Sequence, residues 1–123
     1  MSDYILPPEE EIVRALTEAH WDKKENRFSK AAFYSRNLSV SRLKISPLSD
    51  LIELFCHNFP ALLKVGQINV GRLQELGRTH TSPVEIRVIA TPRENNPAHA
   101  EIPDRMSKSL AKRVVENLQF HDP

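Results

Sequence analysis

One stretch, residues 84–118, limits the fold more than any other part of the sequence, because clear local patterns follow one another in it. Residues 84–90 alternate around β-branched side chains and predict a strand, and residues 91–96 hold the Pro and Asn of a turn. Residues 97–102 predict a second short strand. From about residue 104 to residue 118 the chain predicts an amphipathic helix. The buried face of that helix carries an apolar residue at every fourth position: Met106, Leu110, Val114 and Leu118.

Two further helices are predicted, and the first has a competing interpretation. Residues 8–19 begin with Pro and carboxylates, which favour a helix start, and apolar residues follow at i, i+3, i+4 and i+7. Residues 12–16 would also suit a short strand. Residues 48–58 form a wide apolar stripe that starts after a Ser46 hydroxyl cap and ends at Pro60.

The remaining segments predict strands and loops, and together they set the fold class. Residues 38–43 alternate as a strand, residues 65–76 suit either a strand or a short helix, and residues 1–6 suit an arm or an edge strand. A length of 123 residues is typical of one domain. We therefore expect residues 1–123 to form a single α+β domain, with a mostly antiparallel sheet and about three helices packed on one face.

Composition excludes several classes of protein. The net charge of +1 argues against strong attraction of the whole molecule to nucleic acid or to a membrane. No apolar run approaches the roughly 18 residues that span a bilayer, and the acidic N-terminus lacks the pattern of a secretory signal. The lone Cys56 excludes an internal disulfide and is expected to be buried as a small apolar residue. These features predict a cytoplasmic protein without a membrane partner.

Positive charge is concentrated locally, in residues 20–44. This segment has seven Lys and Arg residues against two carboxylates, a local charge of +5, with aromatic residues between them. Such a mixture is typical of surfaces that contact phosphates or bases, although aromatic core anchors with a solvated basic rim explain it as well. A second basic ridge lies along the predicted C-terminal helix. The candidate binding residues of the two regions are Trp21, Arg27, Ser29, Arg42, Arg105, Lys108 and Lys112.

His99 and Glu101 are the weak candidates for catalysis. They are two residues apart on a predicted strand, so their side chains share one face. Small alanine neighbours are expected to leave the imidazole accessible, and the carboxylate would favour its charged form. A structural histidine at a sheet edge is the favoured alternative. The five histidines show no metal-binding spacing and no glycine-rich phosphate loop is present, so no metal and no cofactor are expected.

Three segments resemble a pattern found in short bacterial proteins without an assigned activity. They are residues 26–33, residues 38–40 and residues 96–100, where Asn96-Pro97-Ala98-His99-Ala100 leads into a basic C-terminal helix. The chain departs from the pattern at Phe28 and Lys30. The resemblance implies a bacterial intracellular protein, and it transfers no reaction, cofactor or catalytic residue.

The leading functional hypothesis is a small binding or accessory protein that acts through a protein partner, because mixed surface charges occur without a catalytic motif. One alternative is binding of nucleic acid or nucleotide phosphates through residues 20–44 and the C-terminal helix. Another is a small His99-dependent enzyme acting on nucleotide or phosphodiester substrates. Convergence of His99, Arg27 and Arg42 in one cleft would favour the alternatives, whereas their separation would favour the protein partner.

Overall fold

A computed structural model describes residues 4–123, and its main feature is a six-stranded antiparallel sheet. The strands are β1 Glu11–Thr17, β2 Trp21–Asp22, β3 Arg27–Phe28, β4 Leu38–Arg42, β5 Leu62–Asn69, β6 Ile89–Ala90, β7 His99–Ile102 and β8 Gln119–His121. The main sheet has the order β6-β7-β4-β1-β5-β8, and β2 pairs with β3 separately. The helices are α1 Leu48–Asn58, α2 Val70–Arg78 and α3 Lys108–Val115. The predicted class, a single α+β domain with an antiparallel sheet and three helices, is confirmed.

The prediction of a helix over residues 8–19 is wrong. Residues 11–17 form β1, which lies inside the sheet and pairs with β4 on one side and β5 on the other. Ile12 and Val13 are both buried although consecutive strand residues point to opposite faces, because both faces of β1 are covered. Apolar residues on both faces gave a spacing that mimics a helical stripe. The competing interpretation of residues 12–16 as a strand was the correct one.

The helices lie on both faces of the sheet, so the expectation that all three share one face is wrong. Alternating residues of β1 and β5 enter two separate apolar clusters. The cluster of the α1 face includes Val13, Leu51, Phe55 and Val65. The larger cluster, on the face of α2 and α3, includes Ile12, Leu16, Ile68, Leu73, Leu110 and Val114. An interior sheet strand with apolar residues on both faces requires cover on both sides.

The organisation predicted for residues 84–118 is correct in outline and wrong at its ends. Only Ile89–Ala90 of the predicted first strand joins the ladder, because the preceding residues run along α2, where Val84 N–H donates to the Gly77 carbonyl at 3.0 Å. The second strand, β7, is confirmed. The helix is shorter than predicted, since the Ser107 hydroxyl caps it by accepting from Leu110 N–H at 3.2 Å, and residues 119–121 return to the sheet as β8.

The central segments are largely as predicted. Helix α1 matches residues 48–58, but no side chain caps it, so the proposed Ser46 cap is wrong, and Cys56 is exposed rather than buried. The ambiguous residues 65–76 contain both structures, because β5 ends at Asn69, whose side-chain oxygen caps α2 by accepting from Arg72 N–H at 2.9 Å. Within residues 4–123, no helix combines the length and apolar character needed to cross a bilayer.

The two edges of the main sheet differ. Residues 4–6 run along β6, with Leu6 N–H donating to Val88 O and Ala90 N–H donating to Tyr4 O, both at 2.9 Å. An isolated bridge pairs Ile5 with Ile89. Residues 4–6 therefore lie at the sheet edge, as one of the two interpretations of residues 1–6 predicted, but they form only an isolated bridge. Residues 1–3 of that prediction lie outside the described part of the chain. At the other edge, β8 has no outer strand neighbour within the described chain.

Candidate functional site

A cavity of about 360 Å³ lies on the α1 face of the sheet, between β1, β4, β7 and the loop before β7. Its lining includes two arginines, Arg14 and Arg93, and two histidines, His20 and His99. Hydroxyl and amide side chains make up most of the other polar lining. Of the described residues that line it, none is Asp or Glu. The cavity, called the His99 pocket below, is therefore a polar site with positive charges at its wall.

His99 is held at both of its ring nitrogens. Nδ1 lies 3.1 Å from the carbonyl oxygen of Thr91 and 2.8 Å from its hydroxyl, and Nε2 lies 3.2 Å from the Ser39 hydroxyl. A carbonyl oxygen only accepts, so the contact with Thr91 O assigns the ring proton to Nδ1. Nε2 is then the acceptor for the hydroxyl proton of Ser39. The arrangement orients a neutral imidazole toward a serine on the neighbouring strand.

The environment of His99 differs from the one predicted. The residue is only 5% exposed, and its flanking alanines are buried as well, Ala100 in the larger apolar cluster and Ala98 in the cluster of the α1 face. Burial lowers the pKa of His99, and the charge of Arg93 lowers it further. The Thr91 carbonyl and Glu101 act in the opposite direction and are the smaller effects. The expected accessible, charged imidazole beside Glu101 is therefore wrong, and the ring is neutral at pH 7.

Arg14 connects the pocket wall at Ser39 with residues 32 and 33 outside the lining. Its Nε donates to the Ala32 carbonyl at 2.6 Å and its Nη1 donates to the Ser39 carbonyl at 2.8 Å. The guanidinium carbon lies 5.7 Å from the centre of the Phe33 ring, within the range of a cation–π contact. Burial lowers the pKa of Arg14 to about 10, which still leaves it charged at neutral pH. This residue fixes the backbone of β4 and places positive charge beside Ser39.

His20 is a second neutral histidine at the pocket. Its Nδ1 accepts from Thr17 N–H at 3.1 Å, at the end of β1. Burial, followed by the charge of Arg14, lowers the pKa of His20 to about 4. The pKa of each histidine is therefore lowered in part by a neighbouring arginine, Arg14 for His20 and Arg93 for His99. The described lining contains no carboxylate that would offset these positive charges.

The turn before β7 is tied to β4 by side-chain hydrogen bonds. The Asn96 amide donates to the Ser41 hydroxyl at 3.1 Å and accepts from Ala98 N–H at 3.2 Å. Both Asn96 and Ser41 are buried. Sequence reasoning treated Asn96 as turn chemistry, which is correct, and the turn also holds Arg93 at the pocket.

Arg42 and Ser29, two predicted binding residues, have structural partners. Arg42 makes a bidentate ion pair with the buried Glu10, with Nε–Oε1 at 2.9 Å and Nη2–Oε2 at 2.8 Å. The Ser29 hydroxyl caps the 3₁₀ helix Lys30–Ala32 by accepting from Ala31 N–H at 3.2 Å. Neither side chain lines the His99 pocket. The serine that does line it, Ser39, lies on β4 and is not among the predicted binding residues.

Trp21 belongs to an aromatic cluster at the β8 edge and Arg27 lies beside it; neither lines the His99 pocket, although Trp21 directly follows the lining residue His20. Trp21 packs edge-to-face on Phe28 with ring centres 5.0 Å apart, and Phe28 stacks on Phe120 at 5.5 Å. Arg27 lines a depression beside these rings together with Lys112 of α3. The charged residues of this depression are balanced, three basic against three acidic: Arg27, Lys30, Lys112, Asp22, Glu25 and Glu116.

Arg105 and Lys108 share a different aromatic neighbour. The Arg105 guanidinium carbon lies 5.6 Å and the Lys108 ammonium 6.0 Å from the centre of the Tyr34 ring. The predicted basic ridge lies beside the segment of residues 20–44, because the Lys30–Ala32 helix packs on α3. His99, Arg27 and Arg42 nevertheless occupy three separate places. Sequence reasoning identified His99 but missed Arg14 and His20, which only the strand interpretation of residues 12–16 could have brought near it.

Among residues 4–123, no group of three or more His, Cys, Asp or Glu side chains is arranged to hold a metal ion. The resemblance to a pattern of short bacterial proteins stays a prediction. Comparison of the chain with protein-family models, with curated proteins and with solved structures gives no match.

Proposed function

We propose that the protein binds a small anionic ligand, a carboxylate or a phosphate, in the His99 pocket. The observation that carries this proposal is the presence of Arg14 and Arg93 in a lining that contains no Asp or Glu among its described residues. Positive charges in a lining without carboxylates favour an anion, and arginine donates paired hydrogen bonds to carboxylate and phosphate oxygens. Neither arginine is among the binding residues predicted in residues 20–44 and the C-terminal helix.

The histidines support the same ligand class. The pKa values of His20 and His99 are lowered partly by Arg14 and Arg93, respectively. A bound anion would offset that positive charge and raise both pKa values. Ligand binding should therefore be accompanied by proton uptake between about pH 4 and pH 6.5, the interval between the lowered pKa of His20 and the ordinary value of histidine.

Replacing Arg93 by methionine is expected to weaken the binding of inorganic phosphate or succinate about 10- to 100-fold. The reason is the loss of a charge-assisted hydrogen bond, worth about 1.5–3 kcal/mol. Arg93 is exposed, so the substitution removes no core packing. Binding is measured by NMR titration of the imidazole signals of His20 and His99 at several pH values.

Arg87→Met is the matched control, since Arg87 is an exposed arginine that pairs with Asp104 and does not line the pocket. It removes the same charge and should leave the dissociation constant unchanged. Equal weakening by both substitutions would show a general charge effect and contradict a localised site. Imidazole signals of wild type that do not respond to either anion would refute the proposal itself.

The second candidate function is the protein partner, which the separation of His99, Arg27 and Arg42 favours. The specific observation is the β8 edge: Phe120 is 45% exposed on a strand that has no outer neighbour among residues 4–123. An exposed sheet edge beside an apolar surface suits an extended segment of another protein, added as a further strand. The half-buried Trp21 adds to the apolar surface of Phe120, and the buried Phe28 supports both rings from below.

Peptides selected from a random library for binding to this protein are expected to slow amide hydrogen exchange at Gln119–His121. Added backbone hydrogen bonds would protect those amides. Phe120→Ser should reduce peptide affinity roughly 10-fold, since it removes about 1.5 kcal/mol or more of apolar burial. Val84→Ser changes an equally exposed apolar residue elsewhere and should not. Peptides that bind without protecting β8 would contradict this candidate.

A further inference from the structure

Ser39 and His99 form a hydroxyl–imidazole pair with the geometry of a nucleophile and its base. Ser39 is exposed at the pocket wall, and its Oγ lies 3.2 Å from Nε2 of the buried ring. Nδ1 of the same ring is fixed by the Thr91 carbonyl, which leaves Nε2 able to take a proton. A nucleophile–base contact and a base–orienter contact at the wall of a pocket are the arrangement that nucleophilic catalysis requires.

A second serine–histidine contact in the fold shows which features matter. Ser109 Oγ lies 2.9 Å from His80 Nε2, closer than the pair in the pocket. That contact is on the surface, and neither residue lines a described cavity. Nδ1 of its ring has only longer contacts, both with Ser82: 3.3 Å to the backbone N–H and 3.4 Å to the carbonyl oxygen. A short contact is therefore not distinctive by itself. The buried, anchored base and the adjacent cavity distinguish Ser39 and His99.

We propose that Ser39 is an acyl-accepting nucleophile with His99 as its general base, acting on small esters that carry an anionic group on the acyl part. The substrate class rests on the proposed anion-binding function of the same pocket. Arg93 would bind the anionic group. Arg14 donates to the backbone carbonyl of Ser39 itself, so its positive charge lies near the attacking residue, in the part of the pocket where negative charge would develop on the ester oxygen.

The reaction balances with water as the second reactant. Ser39 Oγ bonds to the ester carbonyl carbon while its proton passes to His99 Nε2. The carbon–alkoxy bond then breaks, and the leaving alcohol takes the proton from His99. Water then attacks the acyl carbon while His99 Nε2 takes its proton. The bond from that carbon to Ser39 Oγ breaks, Oγ takes the proton back from Nε2, and the acid is released. The lowered pKa of His99 keeps the ring neutral and ready to accept a proton near pH 7.

The test uses 4-nitrophenyl hemisuccinate, an activated ester with a free carboxylate, and 4-nitrophenyl acetate, which lacks one. Wild-type protein should gain one succinyl group at Ser39, detected by intact-protein mass spectrometry and peptide mapping. Acylation should be at least about 10-fold faster with the hemisuccinate than with the acetate, because only the hemisuccinate has a carboxylate that can accept a charge-assisted hydrogen bond from Arg93. The rate should fall as the pH is lowered through the pKa of His99, below the ordinary histidine value of 6.5.

Three variants separate the roles. Ser39→Ala should abolish labelling, and His99→Gln should slow it about 100-fold or more, the usual contribution of a general base. Ser109→Ala, which disrupts the surface pair, should label at the wild-type rate. Thermal unfolding of each variant is measured in parallel. If His99→Gln is too unstable, the pH dependence of wild-type acylation replaces it as the test of the base.

The outcomes distinguish this proposal from the one on which it rests. Wild-type protein that binds succinate by NMR but is not acylated at Ser39 overturns the nucleophile and leaves the anion site intact. Acylation of Ser39 at equal rates with both esters overturns the substrate class. Acylation independent of His99 and of pH below 6.5 overturns the base. No succinate binding refutes the proposed function instead.

Discussion

Replacing Glu10 by alanine is expected to lower the free energy of unfolding by about 3–5 kcal/mol. The Glu10 side chain is 2% exposed and that of Arg42 is 12% exposed, and the two meet in a bidentate pair. Removing the carboxylate leaves the guanidinium of Arg42 covered and without its ionic partner. The hydrogen bond to Glu10, which raises the pKa of Arg42 in the wild type, is lost, but an arginine keeps its proton at pH 7 even without a carboxylate partner, so the charge stays and its cost is not avoided. Urea denaturation at pH 7 measures the effect.

The double variant Glu10→Met with Arg42→Met is the control. Replacing both members of a buried ion pair by apolar residues of similar volume is often neutral or stabilising, in contrast to removing one member. We expect the double variant to be at least about 2 kcal/mol more stable than Glu10→Ala. A Glu10→Ala protein within 1 kcal/mol of wild type would show that Arg42 finds other partners or water.

The sequence predicts those elements in which one face is buried and the other is exposed. Helix α1 has this character: its apolar residues recur at helical spacing and Pro60 follows its end. Helix α3 was also predicted, and its excess predicted length reflects Leu118, which packs near Gly66 just before β8 rather than continuing the helical stripe. Local patterns define such elements because their apolar and polar residues alternate with the period of the helix or of the strand.

Strand β1 shows why the other elements were missed. With both faces buried, an interior strand has no polar–apolar alternation, and its apolar positions can match helical spacing by chance. Only the covering of both faces, by α1 on one and α2 with α3 on the other, decides in favour of the strand. The short strand β8 has an exposed Phe120 and no strong local signal, so pairing with β5 alone defines it.

The site was predictable in its central residue and not in its surroundings. His99 stood out because alanines flank it, yet those alanines pack into the core instead of exposing the ring. Ser39 lies 60 positions away, and Arg14 comes from the strand misread as a helix. Glu101, its predicted partner, lies opposite Ser39 in the β4–β7 register and has only a small influence on the ring. A pocket formed by three strands requires their register, which local sequence does not contain.

Replacing Leu110 by alanine is expected to lower the free energy of unfolding by about 2–5 kcal/mol, because a cavity would remain in the larger apolar cluster. Leu110 is 1% exposed and is packed between α3 and the sheet in that cluster. Leu54→Ala is the matched control in α1. The spacing within residues 48–58 also predicts a buried position for Leu54, but that side chain is only half-buried at the wall of the His99 pocket.

Truncation of Leu54 should cost about 1 kcal/mol, since it removes less buried area and opens onto an existing cavity that water can enter. Urea denaturation of the two variants measures the loss in each free energy of unfolding. The comparison requires that the free energy of unfolding falls with the same slope against urea concentration in both variants. Equal losses for Leu110→Ala and Leu54→Ala would mean that the His99 pocket is closed around Leu54 in solution. That result would also remove the space in which an anionic ligand is proposed to bind.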